Sequence, residues 1–298
     1  MSLPPLGKVA ARARLMLDSR LPVKPVKRKV RGIEMVLPRG HALPYFTHPG
    51  SLYFDNLVAL ATSLAGSEGE VTLLDIGANV GDTALVVLDA APGRAVCVEP
   101  DPHWHGYLQS NVGALDNVAV EHSVLVSPET DQTTGLKIAR AELGSSIVER
   151  TSLEDGLPTI TTTALREKYP ELQNVRLIKS DTDGYDVQLV TAVSATFLPS
   201  KPVIFFEFDP VPTRIVNPEV TPSELWPTLE ARGYERAVLW DNGGGLIGSF
   251  ATAELVERTA ELERTTKEER GYSFWDVAVA HRDDPAGLKA LEDAARVG

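Results

Sequence analysis

The chain has 298 residues but a single cysteine, Cys97, which excludes a disulfide framework and any cysteine-ligated metal centre. Cys97 sits in the apolar run "RAVCVEP", where a buried strand position accounts for it. Long apolar runs are also lacking: "LLDIGANVGDTALVVLDAA" is interrupted by acids, and "PVIFFEF" is too short to cross a bilayer. The N-terminal segment has bases but neither an apolar core nor a small-residue cleavage site, so no secretory signal is expected. These absences point to a soluble, cytoplasmic protein. What is present is a 43% hydrophobic composition, enough to bury a sizeable core in one large domain with appendages.

Charge is unevenly spread. Residues 1–31 carry nine Lys/Arg and one acid, a charge of +8, which leaves 20 bases and 40 acids, or −20, in residues 32–298. An acidic body argues against nucleic acid as a partner, because phosphate binding needs a positive surface. The basic arm has two readings, contact with an anionic membrane or substrate, or a solvated arm lying on its own acidic domain.

Three regions are expected: a basic arm (1–31) made of a short helix and a Pro-interrupted linker, a lead-in strand and helix (32–69), and the main domain (70–298). "GIEMVLP" reads as the lead-in strand, and "HPGSLYFDNLVALATSLAG" places Leu52, Tyr53, Leu57, Leu60 and Leu64 on one helical stripe. From residue 70 the strands "VTLLDIG", "RAVCVEP", "VAVEHSVLV", "VRLIKSD" and "PVIFFEF" alternate with helical segments, the signature of a parallel sheet covered on both faces. A long, polar insertion at about 127–172 interrupts the alternation, and such insertions at the ligand edge are more often functional than decorative. The tail reads as helix, strand, Gly-rich turn, strand, one charged helix "ATAELVERTAELERTTKEER" and the closing strand "SFWDVAVAHR".

The first strand and its loop nominate the cofactor site, since ligands of open α/β sheets lie beyond the carboxyl ends of the strands. The loop Asp75-Ile76-Gly77-Ala78-Asn79-Val80-Gly81-Asp82-Thr83 lacks both the G-x-G-x-x-G fingerprint and the Walker lysine. Asn79 and Val80 would crowd a diphosphate and Asp82 would repel it. S-adenosyl-L-methionine (SAM) carries an ammonium, a carboxylate and a sulfonium but no phosphate. Asp75 suits the ammonium, and free N–H groups of the loop and helix start suit the carboxylate. Glu99, eighteen residues beyond Gly81, is placed to accept both ribose hydroxyls. The expected cofactor residues are Asp75, Gly77, Ala78, Asn79, Gly81, Asp82, Thr83, Glu99, Pro100, Ser123, Val124 and Asp181.

"DIGANVGDTAL", "VEPDP", Asn111, Leu125–Ser127, "LIKSDTDGYD" and "IFFEFDP", in that order, resemble the FkbM-type SAM-dependent methyltransferases. The resemblance runs from about Val71 to Asp209. It implies a Rossmann-like class I methyltransferase fold, with seven mostly parallel strands in the order 3-2-1-4-5-7-6 and the last antiparallel. It also implies O-methylation of a small-molecule or glycan acceptor: a hydroxyl of a sugar, glycan or polyketide-like molecule. The family's Lys-x-Asp-x-Glu-Gly-x-Glu block here reads Lys179-Ser180-Asp181-Thr182-Asp183-Gly184-Tyr185-Asp186, with acids one methylene shorter.

Asp181 ends the fourth strand and is expected to act as the catalytic or acceptor-orienting acid, with Asp183 and Glu207 beside it and Asp186 in support. Asp181, Glu207 and Asp209 also form an oxygen set able to hold a divalent cation. His48 is a candidate base, Gly144–Val148 ("GSSIV") a candidate acceptor loop, and His103 and His105 are expected to pack or lie exposed. The alternative to an enzyme is a non-catalytic small-ligand or nucleotide-sugar binding protein on the same fold, and tight NAD binding would indicate a dehydrogenase.

Overall fold

The computed structural model describes residues 6–18, 20–130, 133–140 and 146–297. The basic arm opens with α1 (Leu6–Asp18). The segment expected to be a Pro-interrupted linker is instead strand β1 (Pro25–Val30), which pairs antiparallel with β2 (Ile33–Pro38). Its alternating Val26, Arg28 and Val30 supply the period-2 pattern that the two prolines obscured. After the single-turn helix α2 (Leu43–Phe46), helix α3 runs over Asp55–Glu68. It starts later than expected because Phe54 adopts a left-handed φ of 74° and breaks the helix, so Leu52 and Tyr53 precede α3 rather than joining its stripe.

The domain that follows alternates β3 (Val71–Ile76), α4 (Asp82–Ala90), β4 (Gly93–Val98), α5 (Pro102–Val112) and β5 (Val118–Glu121). The single strand expected over "VAVEHSVLV" is split. Glu121 turns its carboxylate to the Ser123 hydroxyl (2.6 Å), and β6 (Val124–Val126) leaves the main sheet. It pairs instead with β9 (Thr159–Thr161), beyond the antiparallel hairpin β7 (Gly135–Arg140) and β8 (Ser146–Thr151). Helix α6 (Thr162–Lys168) leads back to β10 (Leu177–Ser180), then α7 (Asp186–Thr196), β11 (Val203–Phe208), α8 (Pro210–Val216) and α9 (Leu225–Ala231).

The tail forms β12 (Tyr234–Asp241), β13 (Leu246–Ala251), α10 (Leu255–Arg264), α11 (Lys267–Arg270), β14 (Trp275–His281) and α12 (Pro285–Ala294). The single charged helix expected here breaks at Thr266, whose side chain caps α11 in a reciprocal box with Glu269.

Among the described residues the main sheet has eight strands, in the order β13-β12-β14-β11-β10-β3-β4-β5. The expected seven-strand sheet is therefore corrected: the turn at Gly243–Gly245 folds β13 back onto the edge of β12. Strands β5, β4, β3, β10 and β11 are mutually parallel, and β14 is antiparallel to both β11 and β12.

Alternation along each central strand builds two cores. Leu73, Ala95, Leu177 and Val203 join a cluster with Leu57, Leu60, Leu64 and Leu291 on the side of α3 and α12. Leu74, Val96, Ile178 and Ile204 join Val190, Val193, Trp226 and Leu229 on the side of α7 and α9. Asn111 ties the N-terminal hairpin to this frame: its side chain accepts from Val36 N (2.7 Å) and donates to Val36 O (3.0 Å) and Val80 O (2.8 Å). Among the described residues no helix is long and apolar enough to cross a membrane.

Candidate active site

At the carboxyl end of β3 the chain turns through Gly77 (φ 72°), Asn79 (φ 51°) and Gly81 (φ 84°) before entering α4. A Cβ on Gly77 would stand 2.0 Å from the Asp181 carbonyl oxygen, so glycine is required for the loop to pass the end of β10. Four of the loop's N–H groups, expected to be free, are spent on the fold. Gly77 N and Ala78 N donate to Val98 O (3.0 Å each), Asn79 N to Glu99 Oε2 (2.8 Å) and Gly81 N to Ala78 O (2.7 Å).

Glu99 is 5% exposed, and its other oxygen accepts from Asp101 N at 2.8 Å. Burial pushes its carboxyl up to about 7, the two backbone bonds opposing. Asp101 in turn caps α5 by accepting from His103 N.

Beside this loop lies a cavity of about 400 Å³. Of the expected site residues it brings together Gly77, Asn79, Asp82, Thr83, Asp181, Asp183 and Glu207. Asp75, which is fully buried, does not line it, nor do Ala78, Gly81, Glu99, Pro100, Ser123 and Val124. Asp209 serves as the N-cap of α8, accepting from Val211 N at 3.0 Å. Among the described residues no group of three or more His, Cys, Asp or Glu is arranged to hold a metal ion, so the expected cation set of Asp181, Glu207 and Asp209 is not supported. His48 turns its Nδ1 toward Pro49 O (3.0 Å) and lines a different cavity, under α1. His105 stacks on His122 with ring centroids 4.0 Å apart, and His103 packs edge-on against Trp104 and Tyr107. In the candidate acceptor loop Gly144–Val148, Gly144 and Ser145 lie outside the described residues.

Lys179, to which the sequence reading gave no role, joins the two halves of the site. Its ammonium donates to Gly77 O (3.0 Å) and stands 3.3 Å from Asp75 Oδ1 and 3.6 Å from Asp181 Oδ2. Burial alone would lower the Lys179 ammonium, but Asp75, Asp181 and Asp82 more than reverse this and raise it. Asp75 is 0% exposed, and among the described residues its oxygens have the Lys179 ion pair but no further hydrogen-bond donor. Burial raises its carboxyl, with Lys179 opposing. Burial likewise pushes Asp82 up to about 6.

Three further groups come from segments where sequence reasoning saw only scaffold. Asp276 on β14 lies directly opposite Glu207 on β11, and both line the cavity. Burial, and then Asp181, push both carboxyls well above their ordinary range. A lone acid inside the apolar run "FWDVAVA" was the available signal. Tyr53 and His41 enter from the N-terminal segment. Tyr53 stacks on Phe46 (5.5 Å between centroids), and its phenol is raised by burial and by Asp181, Asp82, Asp276 and Glu207. Burial pushes His41 down to about 4, so it is neutral at physiological pH. The Gly244 turn closes the wall, where a Cβ would stand 2.5 Å from Leu52 O. Asp186 braces the acid-bearing loop: its oxygens accept from Ser180 Oγ (2.6 Å), Thr182 N (3.1 Å) and Gly184 N (3.4 Å).

A mixed sheet of mainly parallel strands, with a glycine loop after β3 and acids at the ends of β10 and β11, defines a class I methyltransferase-like fold. Residues 75–236, more than half of the chain, match the family model described as the methyltransferase FkbM domain, and the chain belongs to that family of methyltransferases. Among solved structures it is similar to a precorrin-6y C5,15-methyltransferase from Geobacter metallireducens GS-15 (15% identity over 76% of this chain and 87% of that one, TM-score 0.38). It is also similar to a methyltransferase FkbM from Methylobacillus flagellatus KT (11%, 50% of this chain and 37% of that one, 0.31). A third is an O-methyltransferase from Bacillus cereus in complex with SAH (14%, 75% and 80%, 0.38). No curated protein matches the chain.

Proposed function

We propose that the protein transfers a methyl group from SAM to a hydroxyl of a sugar, glycan or polyketide-like small molecule. The observation that carries this reading is the placement of Asp181. It shares one cavity with Glu207, Asp276 and the rings of Phe46 and Tyr53, and faces the glycine loop across Lys179.

The residues present fit SAM at its amino-acid end. The Asp82 carboxylate on the cavity wall suits an ammonium, with the buried Asp75–Lys179 pair behind it, and the start of α4 offers backbone N–H groups to a carboxylate. Glu99 retains lone pairs beyond the two its backbone bonds use, and with Pro100, Ser123 and Val124 forms the proposed adenosine side. When bound, SAM supplies an electrophilic methyl group open to in-line attack. The chain's own part is positioning and proton handling, and oriented approach alone can lower a barrier by roughly 7–11 kcal/mol.

Asp181 accepts the proton of the acceptor hydroxyl, Lys179 holds that carboxylate by charge, and Asp183 lines the same wall. Glu207 and Asp276, which retain protons more readily than ordinary carboxyls, donate to neighbouring acceptor oxygens. Phe46, Phe205 and Phe274 give the acceptor an apolar wall.

Calorimetric titration with SAM, followed by labelled-methyl transfer onto a panel of sugars, glycans and polyketide-like alcohols, tests the reading. Micromolar binding and transfer to at least one hydroxyl are expected. SAM binding without transfer to any acceptor would favour a binding protein, and tight NAD binding without SAM binding would favour a dehydrogenase.

A further inference from the structure

Helix α1 is mounted with its apolar stripe outward. Gly7, Ala11 and Leu15 face the body and line, with Pro49 and His41, a cavity of about 350 Å³. Val9, Ala13 and Leu17 follow one another at four-residue spacing on the opposite side, with Val9 49% and Leu17 64% exposed. The apolar surface continues past the helix end, where Leu21 is 50% and Val23 69% exposed. Around it stand the exposed bases Lys8, Arg12, Arg20 and Lys24, while Arg14 lines the cavity beneath and lies 3.9 Å from Asp18 Oδ2. A helix that only capped the domain would bury this stripe and turn its bases to water.

We propose that this face docks on an anionic lipid surface, with α1 lying in the interfacial plane. An apolar stripe flanked by Lys and Arg is the chemistry of interfacial helices, which bury one face to the headgroup boundary while their bases meet anionic headgroups. Charge also fixes which side can approach. The arm is +8 and the remainder −20, so an anionic bilayer attracts the α1 face and repels the rest of the molecule.

Co-flotation of the full chain with phosphatidylcholine vesicles, with and without phosphatidylglycerol, tests the proposal. Binding is expected only with the anionic lipid and weakens as salt is raised. Val9→Ser/Leu17→Ser, on the exposed face, is expected to weaken it about tenfold or more. Lys8→Gln/Arg12→Gln is expected to weaken it roughly fivefold per base removed. Far-UV circular dichroism confirms that each variant is folded. Failure of the unaltered chain to float with anionic vesicles would overturn the proposal, as would full binding by Val9→Ser/Leu17→Ser. If that variant instead converts a dimer to a monomer on size exclusion and the unaltered chain ignores vesicles, the face belongs to a second copy and the lipid proposal fails.

Discussion

The two halves of the site use carboxylates in opposite ways. On the side of β4, Glu99 and Asp101 accept backbone N–H groups and hold the glycine loop and the start of α5. On the side of β10, β11 and β14, Asp181, Glu207 and Asp276 converge on one cavity, and their mutual repulsion adds to burial in raising Glu207 and Asp276. Lys179 is the hinge between the two, its ammonium shared among a loop carbonyl, Asp75 and Asp181. A carboxylate satisfied by backbone braces the fold, whereas several crowded without such partners mark a candidate ligand site.

Removing the hinge should have the largest effect on the fold. Lys179→Met leaves Asp75 charged and unpaired in the core, and a loss of about 3–5 kcal/mol in denaturant unfolding at neutral pH is expected. The sign follows from Asp75, whose folded carboxyl is already raised and rises further without Lys179. That raised group contributes stability below its unfolded value and loses it as pH rises through the folded value. The deficit of the variant should therefore shrink on acidification. An equal deficit at acidic and neutral pH would remove Lys179 from this role.

Glu99→Ala should cost about 2 kcal/mol at pH 6, by leaving the Asn79 and Asp101 N–H groups without their acceptor. Glu99 stands at about 7 in the folded protein against 4.5 ordinarily, so its contribution is full below 4.5 and fades as pH rises through about 7. The gap between variant and parent should narrow above that point in thermal melts. If Glu99 served only a ribose, the stability of the ligand-free protein would not change.

Asp82→Asn is expected to have the smallest effect, about a tenfold loss of SAM affinity by calorimetry. Because Asp82 stands at about 6, SAM affinity of the parent should fall as pH drops through that value, and the variant should lack this limb.

Much of the placement of residues at the strand ends was legible in the sequence, because it is local. Gly77 and Gly81 precede a helix, and Asp181 follows a short apolar strand that can only be central. That Glu99 and the loop N–H groups also brace the loop was not legible, since it depends on where β4 ends relative to the loop. Asp276 meets Glu207 only through the antiparallel register of β14 on β11, a pairing across 69 positions of chain. Tyr53 lies outside α3 because Phe54 breaks the helix, and the Gly244 turn packs on neighbouring Leu52, neither of which hydrophobic periodicity reports. The eighth strand was read as a strand but given no place, since sheet order is a long-range property.

In the proposed function Asp181, also counted among the expected cofactor residues, acts on the acceptor hydroxyl and is dispensable for holding SAM. Asp181→Asn keeps the shape of the side chain and removes its ability to accept a proton. With labelled SAM and an acceptor hydroxyl, transfer should fall by about 10²–10⁴-fold, while SAM affinity by calorimetry stays within about threefold of the parent. Transfer at the parental rate, or loss of SAM binding in step with transfer, would remove Asp181 from this role.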